Sequence, residues 1–244
     1  MIDIHTHILN NVDDGSKSLE TSIKIIKSLS EKGVKDIFLT PHYIIDTQFE
    51  LDYNEKEEKF NILKEELKRE NIDVNIYLGN EIYINPKIKE NILKDNICMN
   101  NTKYLLIEFP LNGEYNNIYG ILSGLIEKGY KVILAHPERY LSVQKDISIL
   151  DEYKSMGVLF QANIGSIFGM YGKSAKKTIK KLIKSRYIDF LGTDVHSNHF
   201  DYKYFDKLDK KIIKLSDIDY LNNIKYNNAK EKLLWQKKRT IMKF

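Results

Sequence analysis

The 244-residue chain contains a single cysteine, Cys98. That scarcity excludes a disulfide framework and a thiolate-built zinc module, and it fits a reducing compartment. Long apolar runs are missing too: none approaches the roughly 18 residues that a membrane span needs. The opening residues Met1-Ile2-Asp3-Ile4-His5 lack the basic and apolar regions of a signal peptide. Charge of one sign is scarce, with 38 Lys+Arg against 34 Asp+Glu and a net +4 spread evenly along the sequence, which argues against a nucleic-acid partner. No Gly/Ser- or Pro-rich linker, internal repeat, Walker loop or G-x-G-x-x-G after a strand is found.

What is present is 42% hydrophobic and 30% charged, the composition of a soluble globular protein. A chain of this mass can bury roughly 70% of its unfolded surface, enough for one core without covalent staples. The expectation is a cytoplasmic protein with one domain over residues 1–244. The last stretch, roughly 40 residues rich in Lys and Asn with Trp235, is expected to form peripheral helices with a solvated charged face.

Hydrophobic periodicity alternates short strand-like runs with helical ones. Strands are expected at Ile2–Thr6, Val34–Leu39, Val74–Leu78, Tyr104–Ile107, Lys131–Ala135, Val158–Gln161 and Ile188–Leu191. Between them, Leu19, Ile23, Ile26 and Leu29 recur at helical spacing, with Ser18 as N-cap and Gly33 where a C′ glycine belongs. Further helices are expected at Tyr53–Glu70, Gly120–Lys128 and Ser174–Lys184. The strands are apolar throughout, which suits a parallel sheet buried on both faces with helical crossovers, hence an α/β barrel.

Six histidines is an ordinary number, but five of them fall at the ends of predicted strands. His5 and His7 end the first and His42 the second, with Asp14 in the loop between. Glu81, Glu108 and His136 end the next three, and Asp194 with His196 ends the seventh. In a parallel barrel all C-terminal strand ends meet at one mouth. His5-x-His7 and Asp194-x-His196 each place two side chains on the same strand face, because side chains alternate with period two. One strand-end histidine would be an unremarkable structural group. Nine imidazoles and carboxylates at one barrel mouth predict a metal site for zinc, manganese or iron, with magnesium less suited to the histidines. His199, off this pattern, reads as an exposed loop residue, and Asp13-Asp14-Gly15 is also compatible with simple turn chemistry.

Met1-Ile2-Asp3-Ile4-His5-Thr6-His7 with Val12-Asp13-Asp14-Gly15 resembles the start of the bacterial manganese-dependent protein tyrosine phosphatases of the CpsB/YwqE type, within the PHP superfamily. Gly79-Asn80-Glu81-Ile82-Tyr83, Leu106-Ile107-Glu108-Phe109 and Ala135-His136-Pro137-Glu138-Arg139-Tyr140 extend the resemblance in order to about residue 196. It implies a distorted (β/α)7 TIM-like barrel and three Mn²⁺ ions, with Fe, Zn, Co or Mg as alternatives. It further implies that His5, His7, Glu81 and Asp194 hold one ion, and that Glu81 bridges to a second held by Glu108 and His136. The third would lie on Asp14, His42 and His196. Arg139 matches the arginine that binds substrate phosphate. Relatives often carry a second arginine beyond Asp-x-His. Here that stretch is Ser197-Asn198-His199-Phe200-Asp201, leaving His199 or Lys203 as substitutes for substrate binding.

The implied reaction is hydrolysis of phosphotyrosine by a metal-bridging hydroxide, with a bacterial tyrosine kinase of capsule or exopolysaccharide synthesis as partner, dephosphorylated on its Tyr-rich tail. Relatives also assemble, so a homo-oligomer is compatible. Arg139 is one of four arginines in a lysine-dominated chain, and only arginine offers a bidentate phosphate clamp. An ion pair with Glu138 or another acid is the structural alternative for it. Thiol phosphatase chemistry is excluded, since Cys-x5-Arg would need arginine where Tyr104 stands. Three alternatives stay open: a small-molecule phosphatase of the histidinol-phosphate kind, a PHP-type nuclease, and a non-catalytic metal-binding regulator of the kinase.

Overall fold

The computed structural model describes residues 1–50, 52–84, 98–112 and 117–235. The expected C-terminal helical region therefore lies outside the described residues beyond Trp235. Nine strands are described: β1 Ile2–Asp3, β2 Asp36–Leu39, β3 His42–Tyr43, β4 Asn75–Leu78, β5 Glu81–Tyr83, β6 Tyr104–Glu108, β7 Lys131–Ala135, β8 Leu159–Asn163 and β9 Phe190–Gly192. All pairings are parallel, in the orders β1-β2-β4 and β3-β5-β6-β7-β8-β9. The two sheets are one ring in disguise. Thr40-Pro41 separates β2 from β3 and Gly79-Asn80 separates β4 from β5, so each pair is one interrupted strand. The first and last strands meet through Asp194 N–H to His5 O at 2.8 Å, His7 N–H to Val195 O at 2.9 Å and a Thr6–Val195 bridge. Seven strand positions follow, as a distorted (β/α)7 barrel requires.

Helices are α1 Leu19–Glu31, α2 Tyr53–Arg69, α3 Ile118–Glu127, α4 Leu141–Lys145, α5 Ile149–Ser155, α6 Ile164–Phe168, α7 Gly172–Lys184, α8 Tyr204–Ile213 and α9 Ile218–Asn222. Ser18 caps α1 by accepting the Thr21 N–H at 3.1 Å. Gly33 leaves the helix at φ +81°, with its N–H on Ser30 O and that of Val34 on Leu29 O. This is the glycine-terminated ending the sequence suggests. The Lys-rich helix begins at Gly172, two residues before Ser174. After α9 the chain continues through two π-helical turns, Asn223–Asn227 and Lys230–Leu234. The strands are buried, with Ile4, Phe38, Leu106, Ile133 and Phe190 in one cluster inside the ring and the larger cluster between strands and helices. The barrel is therefore filled, and its mouth is left for polar groups.

Candidate metal centre

The mouth is polar although it is buried. His5 and His7 are fully buried, and Glu81, His136 and Asp194 are at most 5% exposed. His5 Nε2 and His7 Nε2 face each other at 3.2 Å. Glu81 Oε2 lies 3.3 Å from the first and 3.2 Å from the second, and Asp194 Oδ1 lies 3.6 and 3.4 Å from them. On one side, His136 Nε2 stands 3.0 Å from Glu81 Oε1 and 3.4 Å from Glu108 Oε1. On the other, Asp14 Oδ1 is 3.6 Å from His42 Nε2 and 3.5 Å from His196 Nε2. All nine ligand candidates are thus brought together. Within 4.8 Å of one another lie donor atoms of His5, His7 and Glu81; of His42, Glu81 and Glu108; and of His7, Asp14, His42 and His196.

Residues outside this ring aim it. Asp13 is buried, its Oδ2 2.7 Å from His7 Nδ1 and accepting the His42 N–H at 3.0 Å, while Oδ1 accepts the Gly15 N–H at 2.9 Å. Gln161 Oε1 takes His5 Nδ1 at 2.9 Å, its Nε2 donates to Asn163 Oδ1, and Asn163 Nδ2 donates to Asp194 Oδ2 at 2.7 Å. His196 Nδ1 donates to the Asp194 carbonyl at 2.9 Å. In each case the hydrogen bond at Nδ1 turns the Nε2 lone pair of His5, His7 and His196 toward the centre, as metal-ligating histidines require. Asp13, Gln161 and Asn163 escape a reading of sequence, where Asp13 fits turn chemistry. The faint signals are the Asp13-Asp14 doublet and the period-two pair Gln161-x-Asn163, which repeats the spacing of His5-x-His7 on β8.

The backbone is strained at two of these positions. His136 has φ +33° and Asp194 φ +55°, in the left-handed region that costs a non-glycine residue of order 1 kcal/mol or more. Gly192, just before Asp194, has no room for a side chain: a Cβ there would lie 2.7 Å from His5 Cβ and 2.8 Å from Gln161 Nε2.

The electrostatics call for cations. Burial opposes the charged His5 ring, yet Glu81 and Asp194 take it up to about 9. Burial likewise opposes a charged His7, and Asp13 with Glu81 raises it well above the ordinary value. Burial and then the Glu81 charge push the Glu108 carboxyl up to about 9. Burial would raise Glu81 and Asp194, but the histidines around them, His5 first, hold both far below the carboxylate range. Without metal, protons supply the positive charge. The donor set of imidazoles and carboxylates, with no thiolate, fits several divalent ions in their place.

Beside the donors lies a cleft of about 380 Å³ lined by Arg139, Met170, Tyr171, His199 and Phe200 together with Asp14, His42, Glu81, Glu108, His136, Asp194 and His196. Arg139 Nη1 bonds Asp194 Oδ2 at 3.0 Å, and its guanidinium sits 4.5 Å over the Tyr171 ring, whose hydroxyl donates to the same oxygen at 3.2 Å. Its ion pair is thus with Asp194; the neighbouring Glu138 instead accepts from Asn163 N–H and the Ser166 hydroxyl. Of the two substitutes for a second arginine, His199 is exposed at the rim of this cleft, whereas Lys203 is not among its lining residues.

The family described as "Capsular polysaccharide synthesis, CpsB/CapC" matches residues 1–234. CapC of Staphylococcus aureus is 35% identical over 198 residues, covering 81% of this chain and 77% of the relative. The tyrosine-protein phosphatase YwqE of Bacillus subtilis is 31% identical over 198 residues, covering 81% and 78%. In three dimensions the chain superimposes, with TM-score 0.82 and 28% identity over 90% of its length and 89% of the other, on a solved structure from work on YwqE of B. subtilis and CpsB of Streptococcus pneumoniae, described as metal-dependent tyrosine phosphatases.

Proposed function

Because the chain belongs to the CpsB/CapC family of capsular polysaccharide synthesis, we infer that it is a metal-dependent phosphotyrosine-protein phosphatase. The observation that carries this reading is the convergence of His5, His7, Asp14, His42, Glu81, Glu108, His136, Asp194 and His196 around a cleft that also holds Arg139. In this reading His5, His7, Glu81 and Asp194 hold one ion, Glu81, Glu108 and His136 a second, and Asp14, His42 and His196 a third. Manganese is the metal we favour. When bound, such ions activate water and polarise phosphoryl oxygens in a reaction that is among the slowest uncatalysed ones known.

This chain's own residues do the rest. Arg139 keeps 22% of its side chain exposed at the cleft, and its fork of N–H donors grips phosphate oxygens as their charge builds. Asp194 and Tyr171 pre-set that fork, which lowers the cost of ordering it when substrate arrives. Met170, Tyr171 and Phe200 give the cleft an apolar wall suited to a phenyl ring. The histidines at the mouth serve as ligands, so little remains to act as a general acid. That suits a phenolate, which departs more readily than an alkoxide. The substrate in this reading is a bacterial tyrosine kinase of capsule or exopolysaccharide synthesis, acted on in the cytoplasm by a single-domain chain. Among the described residues no helix is long and apolar enough to cross a membrane.

A three-substrate comparison tests the reading. The Mn²⁺-loaded protein is offered a phosphotyrosine peptide, histidinol phosphate and single-stranded DNA. Preferential release of phosphate from the peptide is expected. Preference for histidinol phosphate would keep the metal site and overturn the protein substrate, and cleavage of DNA would overturn both claims about substrate.

A further inference from the structure

The small net charge of +4 conceals one strongly basic helix face. α7 starts directly after Tyr171, which lines the cleft, and carries six lysines and no acidic residue. Ala175, Thr178, Ile179, Leu182 and Ile183 face inward. Lys173, Lys177, Lys180 and Lys184, spaced by four, three and four residues, form one stripe on the opposite side, and all four are exposed. At 1.5 Å per residue the stripe is about 16 Å long.

Several lysines on the other outer helices are matched within their own helix. Lys24 pairs with Glu20 on α1, and Lys59 with Glu55 and Lys68 with Glu65 on α2. The two acids of α8, Asp206 and Asp209, are occupied by Lys32 and Lys225. Among the described residues none of the four stripe lysines has a carboxylate within ion-pair distance. Beside Lys180, Lys211 and Lys214 line a hollow of about 210 Å³ that also contains no acid. A solvated helix face needs no such one-sidedness, since interspersed acids lower its self-repulsion.

We propose that the Lys173–Lys177–Lys180–Lys184 stripe docks the anionic peptide segment that flanks the phosphotyrosine held in the cleft. The proposal rests on the phosphotyrosine reading of that cleft. An extended peptide advances about 3.3 Å per residue, so the stripe matches roughly five residues leading away from Tyr171. Acidic side chains or further phosphotyrosines in that stretch would each meet an unmatched ammonium. A row of like charges beside the cleft raises the local concentration of an anionic ligand, and each exposed contact is weak and sensitive to salt.

The test uses the metal-loaded full chain and the K173E/K177E/K180E variant. Substrates are a phosphotyrosine peptide with acidic flanks, the same peptide with neutral flanks, and p-nitrophenyl phosphate. For the acidic peptide, KM rises about tenfold at low salt, the sum of three weak surface contacts, while kcat holds. The neutral peptide and p-nitrophenyl phosphate change less than about twofold, and the difference vanishes near 1 M salt, where screening acts within about 3 Å. The K173Q/K177Q/K180Q variant, which adds no new charge, shows a smaller rise of the same kind. An unchanged KM for the acidic peptide in a variant that still hydrolyses p-nitrophenyl phosphate overturns the docking stripe and leaves the phosphotyrosine reading standing. Binding to phosphatidylglycerol vesicles that the variant loses, with peptide kinetics unmoved, also overturns it and assigns the stripe to a lipid surface. Failure of the unaltered protein to hydrolyse either peptide overturns the reading beneath it.

Discussion

Asp13 divides its carboxylate among three partners: His7 Nδ1, the His42 N–H and the Gly15 N–H. Burial opposes its charge, but His7 holds it down to about 2, so it stays ionised and fixes which nitrogen of His7 faces the centre. Asp13→Asn should therefore weaken metal binding about 10–100-fold, as loss of an orienting partner does, with a fold unchanged by circular dichroism. Competition against a chelator measures this, and wild-type affinity would return Asp13 to turn chemistry. Arg139→Ala should raise KM or lower kcat tenfold or more, since a charge-assisted contact is worth about 1.5–3 kcal/mol. Arg139→Lys should not restore the loss, because an ammonium cannot make the bidentate grip; unchanged kinetics in either variant would make the Asp194 pair its whole role. The convergence of the imidazoles and carboxylates was legible in the sequence because strand ends of a parallel barrel meet at one place. Gln161, Asn163 and Tyr171 were not, since a neutral amide or a phenol acquires its meaning only from the atom it touches.

At the scale of single elements, α1 shows what local chemistry can specify. Ser18 and Gly33 bracket a helix whose apolar spacing is unambiguous, and the structure keeps both roles. Ser18→Ala should cost about 1 kcal/mol, lowering Tm by about 2–4 °C in a chain of this size. The short helices α4, α5 and α6 have five to seven residues, too few for a period of 3.6 to register in the sequence. The interruptions at Thr40-Pro41 and Gly79-Asn80 leave a fainter trace, a proline that cannot donate to a strand ladder and a glycine. In the β8–β9 pair, Asp189 adds a side-chain rung by accepting the Phe160 N–H at 2.9 Å. Burial raises its carboxyl to about 6. A raised carboxyl favours the folded state fully below its unfolded value near 4, and that contribution is lost as pH rises through about 6. Asp189→Asn keeps the acceptor and removes the titration. The Tm of the variant minus that of the parent should thus grow between pH 4 and 7, and a difference independent of pH would contradict this.

On the scale of the whole molecule, the barrel carries His5 to within 3.6 Å of Asp194, 189 positions along the chain. That approach depends on closing the ring, and Asp3 is the latch: it accepts Thr193 N–H at 3.0 Å and the Thr193 hydroxyl at 2.6 Å. The fold class was legible because apolar strands alternating with amphipathic helices allow few other architectures, and the single cysteine had already removed thiol chemistry. The lysine run of α7 is likewise legible in the sequence, but its place as an exposed stripe starting beside the cleft is not, since only the fold sets Tyr171 in the cleft wall. The central claim, that phosphotyrosine hydrolysis runs on metal held at this mouth, is met most directly by phosphate release from a phosphotyrosine peptide before EDTA treatment, after it, and after reloading with Mn²⁺, with His136→Ala alongside. The account predicts release that EDTA abolishes and Mn²⁺ restores in the parent protein, and that stays low in the variant. Release that survives EDTA, or that His136→Ala leaves untouched, would contradict it.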